Sequence, residues 1–130
     1  MGVQVQWDNP QKTILRYDFT GRWTWDEFYA AYNIAKILLS TTPHKVYFIL
    51  HPLDDISRRH TPPNAMSHMI SIWRRTAPNA GKTVSVGGSM FSRTLFGMAS
   101  KVNPKIAEMH AFAPSLDEAR ALLAKESLVI

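Results

Sequence analysis

Apolar and polar residues alternate through Val3-Gln4-Val5-Gln6-Trp7, the pattern of a half-buried strand. Asp8-Asn9-Pro10-Gln11 is a turn cluster. Alternation resumes from Thr13 to Phe19, with Leu15, Tyr17 and Phe19 on one face and Ile14, Arg16 and Asp18 on the other. These segments predict an antiparallel hairpin that ends at Gly21. The period then changes. Thr24-Trp25-Asp26-Glu27 is a capping box, in which the Thr hydroxyl satisfies a free first-turn amide and the Glu reaches back. Behind it Trp25, Phe28, Tyr32, Ala35 and Leu39 recur at spacings of three and four, a helical stripe turned towards a core. Lys45 to Leu50 is almost continuously apolar, as in a central strand covered on both faces.

Residues 51–62 read as the longest irregular stretch. Pro62-Pro63-Asn64 is expected to open a second helix, since Pro is tolerated in a first turn, and Met66, Met69, Ile70 and Trp73 form its inward stripe. Thr83 to Val86 is a strand leading through Gly87-Gly88-Ser89 into a third helix with a stripe of Phe91, Leu95, Met98 and Val102. Glu108 to Ala113 reads as a short edge strand. Ser115-Leu116-Asp117-Glu118 is a second capping box and opens a helix carrying Ala119, Leu122 and Leu123. Strand and helix alternate, so the expected fold class is α/β. One domain over residues 1–130 would hold a mixed, roughly five-stranded sheet and four helices in the order β-β-α-β-α-β-α-β-α. In such sheets ligands and partners gather where strands end and helices begin.

Composition narrows the classes. The chain has 130 residues, 45% of them hydrophobic, with four Trp, six Phe and four Tyr, enough for a core without staples. It has no Cys, which excludes disulfides and thiolate metal sites and fits a cytoplasmic protein. No stretch approaches the roughly 20 apolar residues of a transmembrane helix, and the N-terminus lacks a secretory pattern. The formal charge is +5. The basic residues are scattered, and the only adjacent pairs, Arg58-Arg59 and Arg74-Arg75, would lie roughly 20 Å apart along a mostly helical segment. No continuous basic groove forms, so nucleic acid is not an expected partner.

Reactive motifs fail on spacing. Gly81-Lys82-Thr83 lacks the earlier Gly of a phosphate-binding loop, where Thr76 stands, and leads into a strand. Gly87-Gly88-Ser89-Met90-Phe91 lacks the second Gly of a nucleophile elbow, and no His follows Asp117. The five histidines, His44, His51, His60, His68 and His110, have no metal-ligand spacing. Asp54, Asp55, Ser89 and His51 are single candidates for chemistry with no spacing that joins them. No enzyme activity, cofactor or metal is expected.

Three stretches carry a family resemblance: the hairpin through Phe19-Thr20-Gly21-Arg22-Trp23, the strand Val46-Tyr47-Phe48-Ile49-Leu50 with its acidic loop, and Phe112-Ala113-Pro114-Ser115-Leu116-Asp117-Glu118-Ala119. With the order of elements, they resemble the sulfate transporter and anti-sigma factor antagonist (STAS) family, and most nearly its divergent, stand-alone bacterial members. The resemblance implies a regulatory, non-enzymatic module that binds a protein partner or itself. Family members that act as phospho-switches open the second helix with Asp-Ser-Ser-Gly, where this chain has His60-Thr61-Pro62-Pro63-Asn64. The phosphoacceptor serine is missing, and Pro62 and Pro63 would withdraw two amides from the helix start, so no phospho-switch is expected there.

The expected binding surface comprises Asp54, Asp55, Arg58, Arg59, Thr61, Asn64, Ser67 and the turn Gly87, Gly88, Ser89. The alternative is a small-ligand or lipid-binding domain, similar in outline to CRAL-TRIO domains, with a pocket between the second-helix N-terminus and that turn. Aromatics of the first two helices would line it.

Overall fold

The computed structural model describes residues 2–75, 77–87 and 90–128, with backbone alone at 90–92, 127 and 128. β1 (Val3–Trp7) and β2 (Ile14–Phe19) form the predicted hairpin, Val3 opposite Phe19 and Trp7 opposite Leu15. β3 (Val46–Pro52), β4 (Ala80–Val86) and β5 (His110–Ala113) add in parallel, giving the sheet order β1-β2-β3-β4-β5 with β3 in the centre. The helices are α1 (Trp25–Ser40), α2 (Asp55–Arg59), α3 (Ala65–Arg74), α4 (Met90–Val102), α5 (Pro104–Met109) and α6 (Leu116–Leu128). The chain is thus α/β with five mixed strands. The four long helices answer to the four expected, and α2 and α5 are additional.

Four local expectations need correction. Residues 51–62 are not irregular throughout. β3 runs on to Pro52, and α2 is nucleated by a capping box in which Asp54 accepts from the Ser57 amide at 2.7 Å. Pro62 and Pro63 lie upstream of α3, whose cap is Asn64 in the left-handed region at φ 63°. They therefore withdraw no amide from its first turn. Glu108 belongs to α5, which Asn103 caps and Pro104 opens. Finally, α4 turns Leu95, Phe96 and Ala99 inward, while Met98 and Val102 are 54% and 65% exposed. Ala99 is fully buried, so the stripe runs through this small residue and not through Met98 and Val102. The Phe91 side chain lies outside the described residues.

Parallel strands laid down in sequence order send every right-handed crossover over the same face. Leu15, Tyr17, Phe19 and Val46 on that face pack under Phe28, Ala31, Ala35 and Leu39 of α1. A neighbouring cluster of Met69, Ala99 and Ile106 joins α3, α4 and α5. Among the described residues the opposite face is covered by α6 alone, whose Ala119 and Leu123 pack on Ile14, Ile49, Val84 and Ala113.

α6 is also held by charge. Arg120 donates to both oxygens of Asp8 at 2.8 and 2.9 Å, and Arg16 bridges Asp8 to the buried Asp18. The Asp8 side chain is 2% exposed. Hydrogen bonds from Arg120 lower its pKa more than burial raises it. The folded carboxyl is thus more acidic than the unfolded one, and its contribution is present above the unfolded value of about 4 and fades as pH falls through the folded value. Asp8→Asn is expected to cost about 2 kcal/mol in urea denaturation at pH 7. The gap between the two proteins should hold down to about pH 4.5 and close in more acidic buffer. A gap that is independent of pH would contradict the assignment.

Candidate functional site

Between the helix-covered face and α1, α3 and α4 lies a cavity of about 240 Å³. Its floor is sheet: Tyr17 from β2, Phe48 and Leu50 from β3, Thr83 and Ser85 from β4, Phe112 from β5. One wall is α1, through Phe28, Tyr32, Ala35 and Leu39. The other is Met69, Ile72 and Trp73 of α3 with Leu95 and Phe96 of α4. The lining follows β4 from Ala80 to Val86. Six residue steps make that roughly 20 Å.

Three aromatic side chains of α1 are held at their polar tips by the segment opposite. Trp25 Nε1 donates to the Pro63 carbonyl at 2.8 Å, Tyr29 Oη lies 2.7 Å from His68 Nδ1, and Tyr32 Oη donates to the Arg75 carbonyl at 3.2 Å. His68 stacks on Trp25 with centroids 4.5 Å apart. Residues 25, 29 and 32 share one helix face. The three bonds, one to His68 within α3 and the others to Pro63 before it and Arg75 after it, therefore act as struts between α1 and the segment that carries α3. Below them Tyr17 stacks on Phe28 at 5.4 Å. Burial, with Tyr32 nearby, raises the Tyr17 phenol above its usual range. On β4 the floor is made of the short Thr83 and Ser85, which leave volume where a Leu or Ile would fill it.

At the far wall His110 stacks on Phe96, centroids 3.8 Å apart, and its Nε2 lies 2.9 Å from Ser85 Oγ. The ring borders the cavity, yet Nδ1 is sealed and has no hydrogen-bond partner. Burial lowers the pKa to about 3, so the ring is neutral near pH 7 and serves as another aromatic surface.

At the carboxyl ends of the strands, taken as its mouth, the cavity is lined by Trp23, Pro52, His60, Thr61 and Arg58, whose side chain is 49% exposed, while the exposed Lys36 lines its other end. His60 Nε2 lies 2.9 Å from the Trp23 carbonyl and fixes this rim. Of the residues expected to bind, Arg58 and Thr61 line the cavity. Gly87, at φ 73°, sits beside Arg58, where an added Cβ would come 3.6 Å from Cδ and Nε. Asp54 instead caps α2 and accepts from the Gly21 amide at 3.0 Å. Hydrogen bonds from Ser57 chiefly lower its pKa. Asp55 is exposed and pairs with Arg58 Nη1 at 3.0 Å. Arg59, Asn64 and Ser67 are exposed and do not line the cavity. Gly88 and Ser89 lie outside the described residues. His51 is on the opposite face, its Nδ1 3.5 Å from Asp18, with no bond to Asp54 or Asp55 among the described residues. Tyr17, Phe48, Ser85, Phe96 and His110 were absent from the expected set. The aromatic richness around α1 is the one sequence signal that pointed towards them.

Among the described residues no three His, Cys, Asp or Glu side chains converge to hold a metal ion, and no helix is long and apolar enough to cross a membrane.

A neutral folded His110 lets the unfolded state bind one more proton between pH 6.5 and 3, so stability falls as pH drops through that window. His110→Gln removes this proton. Between pH 6.5 and 5 the wild type should lose about 1.6 kcal/mol more than the variant in urea denaturation, the slope rising from half to nearly all of one proton's worth as the unfolded imidazole fills. Parallel pH profiles would contradict the buried, neutral assignment.

No family model, no curated protein and no solved structure matches the chain.

Proposed function

We propose that this protein is a non-enzymatic domain that binds one small, largely apolar molecule between the sheet and α1, α3 and α4. The observation that carries this reading is the aromatic-walled cavity of about 240 Å³. An apolar hollow left unfilled is costly, because its lining loses dispersion contacts and the chain can usually relax to fill it. Here the struts resist that relaxation. An apolar cavity of about 150 Å³ suffices to hold benzene, so in proportion this one holds roughly ten non-hydrogen atoms. Phe, Tyr and Trp rings supply contact area, and Ser85, Thr83 and Tyr17 supply a few polar points, the usual division of labour in ligand sites.

A second reading, a regulatory interaction module of the STAS type, is favoured by one surface feature. Leu53 and Ile56 are 53% and 56% exposed and flank Asp54 and Asp55 in the stretch expected to meet a partner. If that stretch mediates self-association, sedimentation velocity should show a dimer that Ile56→Glu dissociates. A wild type that stays monomeric at all concentrations removes self-association from this reading.

For the cavity reading, Trp23, Trp25 and Trp73 line the space and report on its contents, whereas Trp7 does not line it. Titration with 1-octanol should give a saturable change in tryptophan fluorescence. Ala35→Leu fills part of the cavity from the α1 wall, and it should weaken binding by tenfold or more while leaving the protein folded by circular dichroism. A linear response in the wild type, or equal binding by the folded variant, would overturn the proposal.

A further inference from the structure

The charge around the cavity is one-sided. Among the described residues its lining contains two cations, Lys36 and Arg58, and no carboxylate. Lys36 is engaged with an aromatic face, its Nζ 5.4 Å from the Tyr32 ring centroid. Arg58 stands at the mouth, where the strands end. Asp55, itself 80% exposed at the side chain, takes only Nη1. Nε and Nη2 have no partner among the described residues. Thr61, three residues further along the chain, is half-buried and also lines the cavity, and its hydroxyl likewise makes no hydrogen bond to a described residue. The guanidinium stem lies against Gly87, where even a Cβ would stand at an ordinary contact distance of 3.6 Å from Cδ and Nε.

Resting on the cavity reading above, we propose that the ligand is a single-chain monoanion, an apolar body of roughly ten non-hydrogen atoms whose acidic head is bound by Arg58 and Thr61 at the mouth. A planar guanidinium edge with two free N–H groups matches a carboxylate, and the neighbouring hydroxyl can donate a further bond. The volume leaves no room for the two acyl chains of a membrane lipid, so the head belongs to a free acid. Net attraction between a basic protein and an anion favours encounter in the same direction.

The test uses octanoate and 1-octanol, which share a chain and differ in charge, read by tryptophan fluorescence on the full chain. The wild type should bind octanoate about tenfold more tightly than 1-octanol, the worth of one charge-assisted anchor. Arg58→Met keeps the stem and should abolish that preference while still binding 1-octanol. Arg59→Met removes the same charge one residue away, outside the lining, and should retain it. Equal binding of acid and alcohol by the wild type overturns the head-group assignment but leaves the cavity reading standing, whereas failure of both to bind removes the cavity reading itself. The assignment also falls if the preference survives Arg58→Met, if Lys36→Met abolishes it instead, or if phosphatidylglycerol vesicles capture the protein through Arg58 and displace octanoate.

Discussion

The spacing between α1 and α3 rests on hydrogen bonds made by the tips of aromatic side chains. Trp25, Tyr29 and Tyr32 reach Pro63, His68 and Arg75 and stop there, because a bond of 2.7 to 3.2 Å fixes how near the two segments come. Interdigitating aliphatic side chains would pull two helices together until the space between them was filled. Rings bonded at their outer ends do not do this. They form a rigid roof, and whatever the sheet does not fill below it stays open. The short side chains of Thr83 and Ser85 on β4 complete the hollow, and the cavity follows from these two features together.

The topology explains why the hollow has one roof and not two. With β2 to β5 parallel and in sequence order, α1, α3, α4 and α5 share one face, and among the described residues α6 alone covers the other. The crowded face has to accommodate several helices on a sheet of five strands, and it does so with a gap between α1 and the α3–α4 pair. The sparse face is compact, packed with Ile49, Val84 and Leu123, and fastened by the Arg120–Asp8–Arg16–Asp18 chain of charges. The charge-fastened α6 and the cavity thereby lie on opposite sides of the sheet. The same arrangement places Arg58 and Thr61 at the carboxyl ends of the parallel strands, where open α/β sheets usually present their binding crevice.

Much of this architecture is written locally. Alternation gives the β1–β2 hairpin with its faces correctly divided, because a two-residue period leaves no choice once one face is buried. The capping box at Thr24 fixes the start of α1. The two short helices escaped notice although both carry start signals. Asp54 and Ser57 form a capping pair and Asn103-Pro104 is a cap with proline behind it, but helices of five and six residues have too few turns to show a periodic stripe. In α4 the phase was set by the largest side chains, whereas tight packing chose Ala99. The site was legible only as single residues. Arg58 and Thr61 were named from the stretch that matches the family's second-helix start, and the aromatics from their clustering around the first two helices. The cavity itself depends on a distance between helices that no local pattern encodes. That His110 stacks on Phe96, an element away, is likewise not legible from local sequence.

The account stands or falls on where a small apolar molecule sits. The most direct measurement is an isotope-filtered NOE experiment on the labelled protein with unlabelled 1-octanol, which reports protons of the two molecules in mutual contact. Binding in the cavity predicts cross-peaks from the octanol chain to the rings of Tyr17, Phe48 and Phe112 and to the Ala35 methyl group. Cross-peaks confined to the exposed Ile34 and Ile37 of α1, or to Leu53 and Ile56 by α2, would contradict it.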